Sequence, residues 1–347
     1  MDDRYNAIMN YVIKNYNSLS KEEKLKLFSD NGYIITYDEI RKYKPSMEEN
    51  YNKLTDRVYE ALDKSNLEKI NEELQTIKDP CIVSGVGGSY VVSTFATKIL
   101  ESKNNIVAHN TTLRDINHMN LKPYKNLLIC SYGGHNYGVS NALKCDLNKY
   151  VLSKNDVLDA TSIKYDVTDS ELSFISLAAT LIPMTILLQY YLDGDASIIK
   201  EILDNKNAIS IKPSKVYEIL SGIETNTAHT FLESTFTESG LAIPVVHDKY
   251  DYCHGRSNLN YFNKNNSIII FNTKNELDNL YLNELNKYYD NVIKIDRKYE
   301  DDIVNDYYFT YQSMLLTKQL AKAKNMDISN FDYCPFVKKL YKYKGEM

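Results

Sequence analysis

Two residues of the sequence, Glu238 and His254, have the chemistry of an acid–base pair. They lie sixteen residues apart, and a carboxylate and an imidazole are the usual side chains for moving protons around a carbonyl group. Glu238 lies near the end of a predicted helix, and His254 lies in the stretch DYCHGRSNL. The spacing alone leaves a solvated carboxylate and a structural histidine open as alternatives.

Two glycine turns could bind an anion. The first, Ser84–Ser89, reads SGVGGS, and the second, Ser131–Asn136, reads SYGGHN. Each follows an apolar strand and precedes a helix, where free backbone N–H groups and the helix dipole favour an anion. A tight turn with Ser89 as the helix N-cap is the alternative for the first stretch. Neither stretch continues as a P-loop or as a dinucleotide fingerprint.

A metal site is a third possibility, because five potential ligands cluster in the sequence: His247, Asp248, Asp251, Cys253 and His254. Their spacing contains no HxH, CxxC or HExxH pattern, so no metal is predicted. No cofactor is predicted either, because the dinucleotide fingerprint is absent.

Composition and charge limit the class of protein. The chain has 347 residues, a net charge of −5 and five cysteines without a CxxC pair. The odd number of cysteines favours a reducing compartment, so a cytoplasmic location is expected. Residues 1–50 hold eight Lys or Arg against nine Asp or Glu, so nucleic acid is not expected as a partner.

The N-terminus and one apolar segment bear on whether the chain is targeted to a membrane. MDDRYNAIMNY lacks an apolar region, so no signal peptide is expected in it. Residues 172–192 carry no charge and are long enough to span a bilayer. Pro183, Gln189 and the absence of a flanking basic cluster favour a buried central helix, and no membrane association is expected.

The order of elements predicts an α/β protein. Residues 1–78 have helical spacing, and strands alternate with helices after them, which indicates parallel sheets with helices on both faces. The pattern pauses at a predicted linker, 205–214, and then restarts. The predicted domains are a helical segment at 1–78 and α/β units at 79–206 and 207–347. The strands are predicted near 80–84, 106–110, 126–131, 149–153, 216–222, 242–246, 267–272 and 291–296, with helices that include 172–192, 226–240 and 303–325.

The two turns and the acid–base pair together resemble a known family. It is the sugar isomerase (SIS) domain family, whose two phosphate turns fall at Gly87–Tyr90 and Ser131–Asn136 of this sequence. The family's catalytic glutamate and the His-Gly pair that follows it fall at Glu238 and at His254-Gly255. The likeness covers roughly residues 38–347 and is to tandem SIS proteins, such as the isomerase half of glucosamine-6-phosphate synthase. It implies two three-layer αβα subdomains of flavodoxin-like type, preceded by the N-terminal helical segment.

The resemblance also implies roles for individual residues. Glu238 would carry a proton between adjacent carbons of an open-chain sugar through an enediol or enolamine, and His254 would assist ring opening. Lys339 in the C-terminal tail is a candidate for the family's sugar-contacting lysine. The implied binding residues are Gly87, Gly88, Ser89, Tyr90, Ser131, Tyr132, Gly133, Gly134, Asn136 and Arg256.

The chain departs from the family pattern at three site positions. Gly133 replaces a serine and Asn136 replaces a threonine of the second turn, so one hydroxyl donor is lost and one amide is gained. Arg256 replaces a proline and could pair with a substrate carboxylate or a second anion. No cysteine follows Met1, so no glutaminase half is expected.

The resulting expectation is an enzyme that processes a sugar phosphate. Aldose–ketose isomerisation and deamination or deglycation of an amino-sugar phosphate both remain open, and the sugar is not identified. Because the family's histidine can enter the site from a neighbouring subunit, a homodimer with a shared active site is expected. The alternative is a non-catalytic protein that senses a sugar phosphate. A dehydrogenase is disfavoured by the missing dinucleotide fingerprint.

Overall fold

Six helices form the N-terminal part of the chain. The structure, a computed structural model, describes residues 2–16, 19–169, 171–206, 209–263 and 265–330. Within the predicted helical segment lie α1 (Asp3–Lys14), α2 (Lys21–Ser29), α3 (Tyr37–Arg41), α4 (Met47–Asn52), α5 (Leu54–Lys64) and α6 (Leu67–Gln75). Helices α1 to α3 enclose a small core of their own, formed by Met9, Val12, Phe28 and Ile40.

A five-stranded parallel sheet follows. Its strands are β1 (Cys81–Gly85), β2 (Ala108–Thr112), β3 (Asn126–Cys130), β4 (Asn148–Ser153) and β5 (Thr161–Lys164), with α7 (Gly88–Lys103) and α8 (Tyr137–Ala142) between them. The order β2-β1-β3-β4-β5 is the flavodoxin-like order that the resemblance implies. Strand β5 was not predicted, because the stretch TSIK holds a single buried apolar residue, Ile163.

A second parallel sheet repeats this plan with one strand fewer, in the order β7-β6-β8-β9. The two-sheet α/β fold class predicted from the sequence is therefore confirmed, while the predicted domain boundaries remain predictions. Elements after the first sheet are α9 (Ala178–Tyr191), α10 (Ser197–Asp204), β6 (Val216–Ser221), α11 (Asn226–Ser239), β7 (Ile243–Asp248), α12 (Lys249–Asp251), a π-type turn (Tyr252–Arg256), α13 (Asn258–Phe262), β8 (Ser267–Asn272), α14 (Glu276–Tyr288), β9 (Val292–Asp296) and α15 (Asp302–Ala323).

One hydrophobic core joins the two sheets. It includes Val83 and Leu128 of the first sheet and Ile219 and Ile269 of the second. Helices α7, α9, α11 and α15 contribute to it from between the sheets, where α7 packs on both α9 and α11. Because both sheets bury apolar side chains against this shared layer of helices, each sheet holds the other in place.

The apolar segment 172–192 is only partly helical. Helix α9 begins at Ala178, six residues later than predicted, and ends at Tyr191. The Glu171 carboxylate accepts the N–H groups of Leu177 (3.0 Å) and Ala179 (3.3 Å), so it binds the first turn of the helix. Most of α9 is buried in the shared core. Across the described ranges, no helix combines the length and apolarity that crossing a membrane requires.

A buried ion pair links the layers of helices. Lys98 of α7 donates to Asp306 of α15, whose side chain is fully buried, and Asp306 Oδ1 also accepts the N–H of Ala228 in α11 at 3.4 Å. Three helices thus meet at one carboxylate. Removal of one partner of such a pair leaves an uncompensated buried charge.

The substitution Lys98→Met should therefore lower the free energy of unfolding by about 3–5 kcal/mol, since Asp306 would stay buried without its cation. Chemical denaturation of the full chain measures the loss. The matched control is Lys287→Met, which removes an exposed lysine paired with Glu284 and should cost less than about 1 kcal/mol. Equal stability of the two variants would contradict the role given to Lys98.

Candidate functional site

The two glycine turns lie side by side at the carboxyl edge of the first sheet. The first follows β1 and the second follows β3, and these strands are parallel neighbours with Ser84 opposite Ile129. Neighbouring strands are about 4.8 Å apart, so the turns begin within reach of a single small ligand. This is also the point where the strand order reverses, the usual ligand position in an open α/β sheet.

The first turn depends on glycine at Gly85 and Gly87. A Cβ atom built on Gly85 would lie 2.1 Å from the carbonyl oxygen of Ser89, so no side chain fits there. Gly87 has φ +59° and is the residue before α7. The N-cap is therefore Gly87 rather than Ser89, and the alternative interpretation of Ser89 as the N-cap is wrong. Tyr90 follows in the first turn of α7, where its N–H donates to the carbonyl of Gly87 at 2.8 Å.

The second turn is held by bonds within itself and by the loop after β4. The N–H of Gly134 donates to Ser131 Oγ at 3.2 Å, and Asn155 Nδ2 donates to the carbonyl of Gly133 at 3.0 Å. Gly134 has φ +71°, and a Cβ atom built on it would lie 2.6 Å from Val157 Cγ2. Glycine is required here both by the backbone and by this close contact.

Asn136 has a local structural role in the same turn. Its Oδ1 accepts the N–H of Val139 at 2.9 Å, which makes Asn136 the N-cap of α8. The side-chain oxygen is thereby used, and the Nδ2 group is the part that remains to meet an anion. The predicted contact of Asn136 with phosphate stays a prediction.

Glu238 reaches the first turn from the second sheet's side of the molecule. It lies in the last turn of α11, and a Cβ atom built on Gly87 would lie 3.7 Å from Glu238 Oε1. Ser234, one helical turn earlier, donates its hydroxyl to the same Oε1 atom at 2.6 Å. The structure thus brings Glu238 together with the turn at Gly87 and Gly88, and Ser234 orients its carboxylate.

The wall beside the first turn contains residues that the sequence did not indicate. A Cβ atom on Gly88 would lie 2.7 Å from Thr180 Oγ1 and 3.1 Å from Ser176 Cβ. Both residues belong to the entry into α9 that Glu171 holds. Burial raises the pKa of the Glu171 carboxyl to about 7, against the opposing effect of the N–H groups that it accepts. The polar positions in the uncharged segment 172–192 were the available signal for this wall.

His254 lies far from Glu238 within one chain. Helix α11 runs back between the parallel strands β6 and β7, so Glu238 lies before β7 and His254 lies after it. β7 has six residues and is about 17 Å long. His254 is exposed, next to Gly255 at φ +95°, and Arg256 forms a 3.7 Å contact with Asp251.

The segment that carries His254 begins at a buried lysine, Lys249, which holds it on the second sheet. Lys249 is 2% exposed, and its ammonium group lies 2.8 Å from Asp278 Oδ1 and 3.3 Å from Glu224 Oε1. The ammonium group also donates to the carbonyl of Phe271 at 2.8 Å. The start of the segment is therefore fixed on the second sheet, whereas His254, five residues later, is exposed to solvent.

The predicted tail lysine, Lys339, lies outside the described residues. The described chain ends close to the site, because the carbonyl of Ser329 accepts the N–H of Phe174 at 3.1 Å, two residues before Ser176. Asn330 is held by its Nδ2 donating to the carbonyl of Pro45 at 2.7 Å. In the part of the chain that the structure describes, no three His, Cys, Asp or Glu side chains group as a metal site would require.

Solved structures that match this fold include proteins named as phosphosugar isomerases and a glucosamine-6-phosphate deaminase. Tagatose-6-phosphate ketose/aldose isomerase from Escherichia coli superposes with a TM-score of 0.65 at 13% identity, over 83% of this chain and 95% of that one. The chain has the fold of the sugar isomerase family.

Two further structures share this SIS fold. Glucosamine-6-phosphate deaminase from Thermotoga maritima matches with a TM-score of 0.62 at 14% identity, over 80% of this chain and 96% of that one. The C-terminal domain of glucosamine-fructose-6-phosphate aminotransferase from Francisella tularensis matches with 0.61 at 14%, over 86% and 100%. No family model and no curated protein matches the sequence.

The close contact at Gly88 gives a test of the site's packing. Gly88→Ala should lower the free energy of unfolding by about 1–3 kcal/mol, because the new methyl group overlaps Thr180 Oγ1. The double variant Gly88→Ala/Thr180→Ala removes that atom and should recover part of the loss. Urea denaturation compares the variants. A Gly88→Ala protein as stable as the parent would show that the turn does not pack on α9 in this way.

Proposed function

We propose that the protein is an enzyme that acts on a sugar phosphate by acid–base catalysis. The phosphate would bind between the two glycine turns, and Glu238 would transfer a proton between adjacent carbons of the open-chain sugar. Aldose–ketose isomerisation and removal of an amine both use this proton transfer. The observation that carries the proposal is the approach of the Glu238 carboxylate to Gly87, at the edge where the two turns meet.

The geometry supports catalysis rather than a packing role for Glu238. Its side chain is exposed, so burial does not explain its presence, and Ser234 orients Oε1 toward the first turn. A base must lie within reach of the proton that it removes. A sugar phosphate held by its phosphate at the turns would extend its reacting carbons over this edge, beside Glu238.

We further propose that the working unit is a homodimer in which His254 comes from the partner copy. Within one chain β7 separates Glu238 from His254 by far more than a hydrogen bond or one bridging water spans. The segment around His254 also exposes large apolar side chains, with Tyr250 72% and Phe262 76% exposed. Exposed apolar side chains grouped around a functional residue favour an interface.

Glu238→Gln is the central test of the chemistry. It keeps the shape of the side chain and removes the base, so turnover of a hexose or hexosamine 6-phosphate should fall roughly 10²–10⁴-fold while binding persists. Exchange of the sugar's carbon-bound proton with solvent deuterium, followed by NMR, should fall equally. The matched control is Glu233→Gln, an exposed carboxylate on the same helix. Unchanged exchange in Glu238→Gln would assign the base to another residue.

Mixing two inactive variants tests the shared site. Glu238→Gln and His254→Asn should each be inactive alone. After they are unfolded together and refolded, the mixture should regain about a quarter of the parent's activity, because half of the dimers are mixed and each holds one intact site. Each variant refolded alone is the control. Full inactivity of the mixture, with dimers present, would contradict a site built from two copies.

A sugar-phosphate sensor is the second candidate. It is favoured by the second turn, where Gly133 carries no hydroxyl and the Gly134 N–H is already bonded to Ser131 Oγ. The turn therefore has fewer donors for a substrate phosphate than the family pattern implies. A parent protein that binds sugar phosphates, yet shows neither turnover nor deuterium exchange with a panel of them, would establish the sensor in place of the enzyme.

A further inference from the structure

A lysine that the resemblance does not assign lies beside the second turn. Lys154 follows β4, the parallel neighbour of β3, and the register pairs Cys130 with Leu152. Two residues further along each strand, Lys154 therefore lies next to Tyr132. Its N–H donates to the carbonyl of Tyr132 at 3.2 Å, and its Nζ atom lies 4.3 Å from the centre of the Tyr132 ring.

The charge of Lys154 is not balanced by an acidic side chain in the ranges that the structure describes. Among the described residues no carboxylate pairs with its ammonium group, and the nearest acid in sequence, Asp156, pairs instead with Lys164 at 2.9 Å. Lys154 is half-buried, and burial lowers the pKa of its ammonium group below the ordinary value. A partly desolvated cation without a carboxylate partner gains more than a solvated one from an anion placed beside it.

The second turn has few hydrogen-bond donors for a phosphate, and the ammonium group of Lys154 could compensate for them. Gly133 carries no hydroxyl, and the N–H of Gly134 already donates to Ser131 Oγ, so neither supplies a donor to a ligand. The donors that remain, namely backbone N–H groups, the serine hydroxyls and the Asn136 amide, are all neutral and would leave much of a dianion's charge uncompensated. A lysine ammonium provides that compensation as a point charge.

We propose that Lys154 is a binding residue for the phosphate group of the substrate, reaching it from the end of β4 across the ring of Tyr132. The inference rests on the proposed function, because it assigns a contact within the same site. Lys154 would act on the affinity for phosphate and take no part in the proton transfer. The second turn would thus be completed by a residue from the next strand of the sheet.

The test uses inorganic phosphate as the probe and the full chain. Lys154→Met keeps the aliphatic packing on Tyr132 and removes the charge, and it should weaken phosphate binding roughly 10- to 100-fold by calorimetry, the range of a charge-assisted hydrogen bond. Lys154→Gln should behave in the same way. The control Lys164→Met removes a nearby cation that is already paired with Asp156 and should change the affinity less than about twofold.

Turnover separates this inference from the proposed function. Lys154→Met should raise KM for the sugar phosphate by the factor seen with inorganic phosphate while kcat stays within about twofold of the parent, as for a residue that binds ground state and transition state alike. If the folded variants bind phosphate as the parent does, the inference is wrong and Lys154 only packs on Tyr132. If the parent itself binds neither phosphate nor any sugar phosphate, the proposed function fails first.

Discussion

Helix α7 must pack against the first sheet and against helices α9 and α11 at once, and the rest of the structure depends on how its two ends meet this constraint. Near its C-terminal end Lys98 is paired with the buried Asp306. At its N-terminal end Gly88 lies so close to Ser176 and Thr180 that no side chain fits without a shift. An ion pair and a steric contact thus hold one helix at both ends. Because α11 packs antiparallel to α7, the same arrangement brings Glu238 to Gly87.

The sequence predicted the parts of the fold that carry strong local patterns. Both glycine turns, the helix closed by Gly240 at φ +66°, and the alternation of strands and helices all follow from residue types and spacing. The start of α9 was wrong by six residues because apolar periodicity does not reveal that Glu171 binds the first turn of the helix from outside. Strand β5 was missed because its stability comes from pairing with β4 rather than from its own four residues.

Site residues that act across long sequence separations were harder to find. Ser176 and Ser234 approach Gly88 and Glu238 only after the helices pack, and no motif marks them. Lys154 becomes relevant only once β4 is known to lie beside β3. The cap formed by the Asn136 oxygen follows from its position, because an Asn just before a helix satisfies a free backbone N–H group, and its Nδ2 group is left for an anion.

The two sheets repeat one topology, yet different residues occupy their carboxyl edges. In the second sheet the buried ammonium of Lys249 is already surrounded by Asp278, Glu224 and a backbone carbonyl. A cation from the chain itself thus occupies this edge and ties β8 and α14 to the start of the segment that carries His254. Substitutions around Lys249 are consequently expected to act through folding, because they would leave buried charges without their partners. The candidate site nevertheless draws on both halves of the molecule, because α11 of the second half brings Glu238 to Gly87 of the first, and a shift of either half would change that approach.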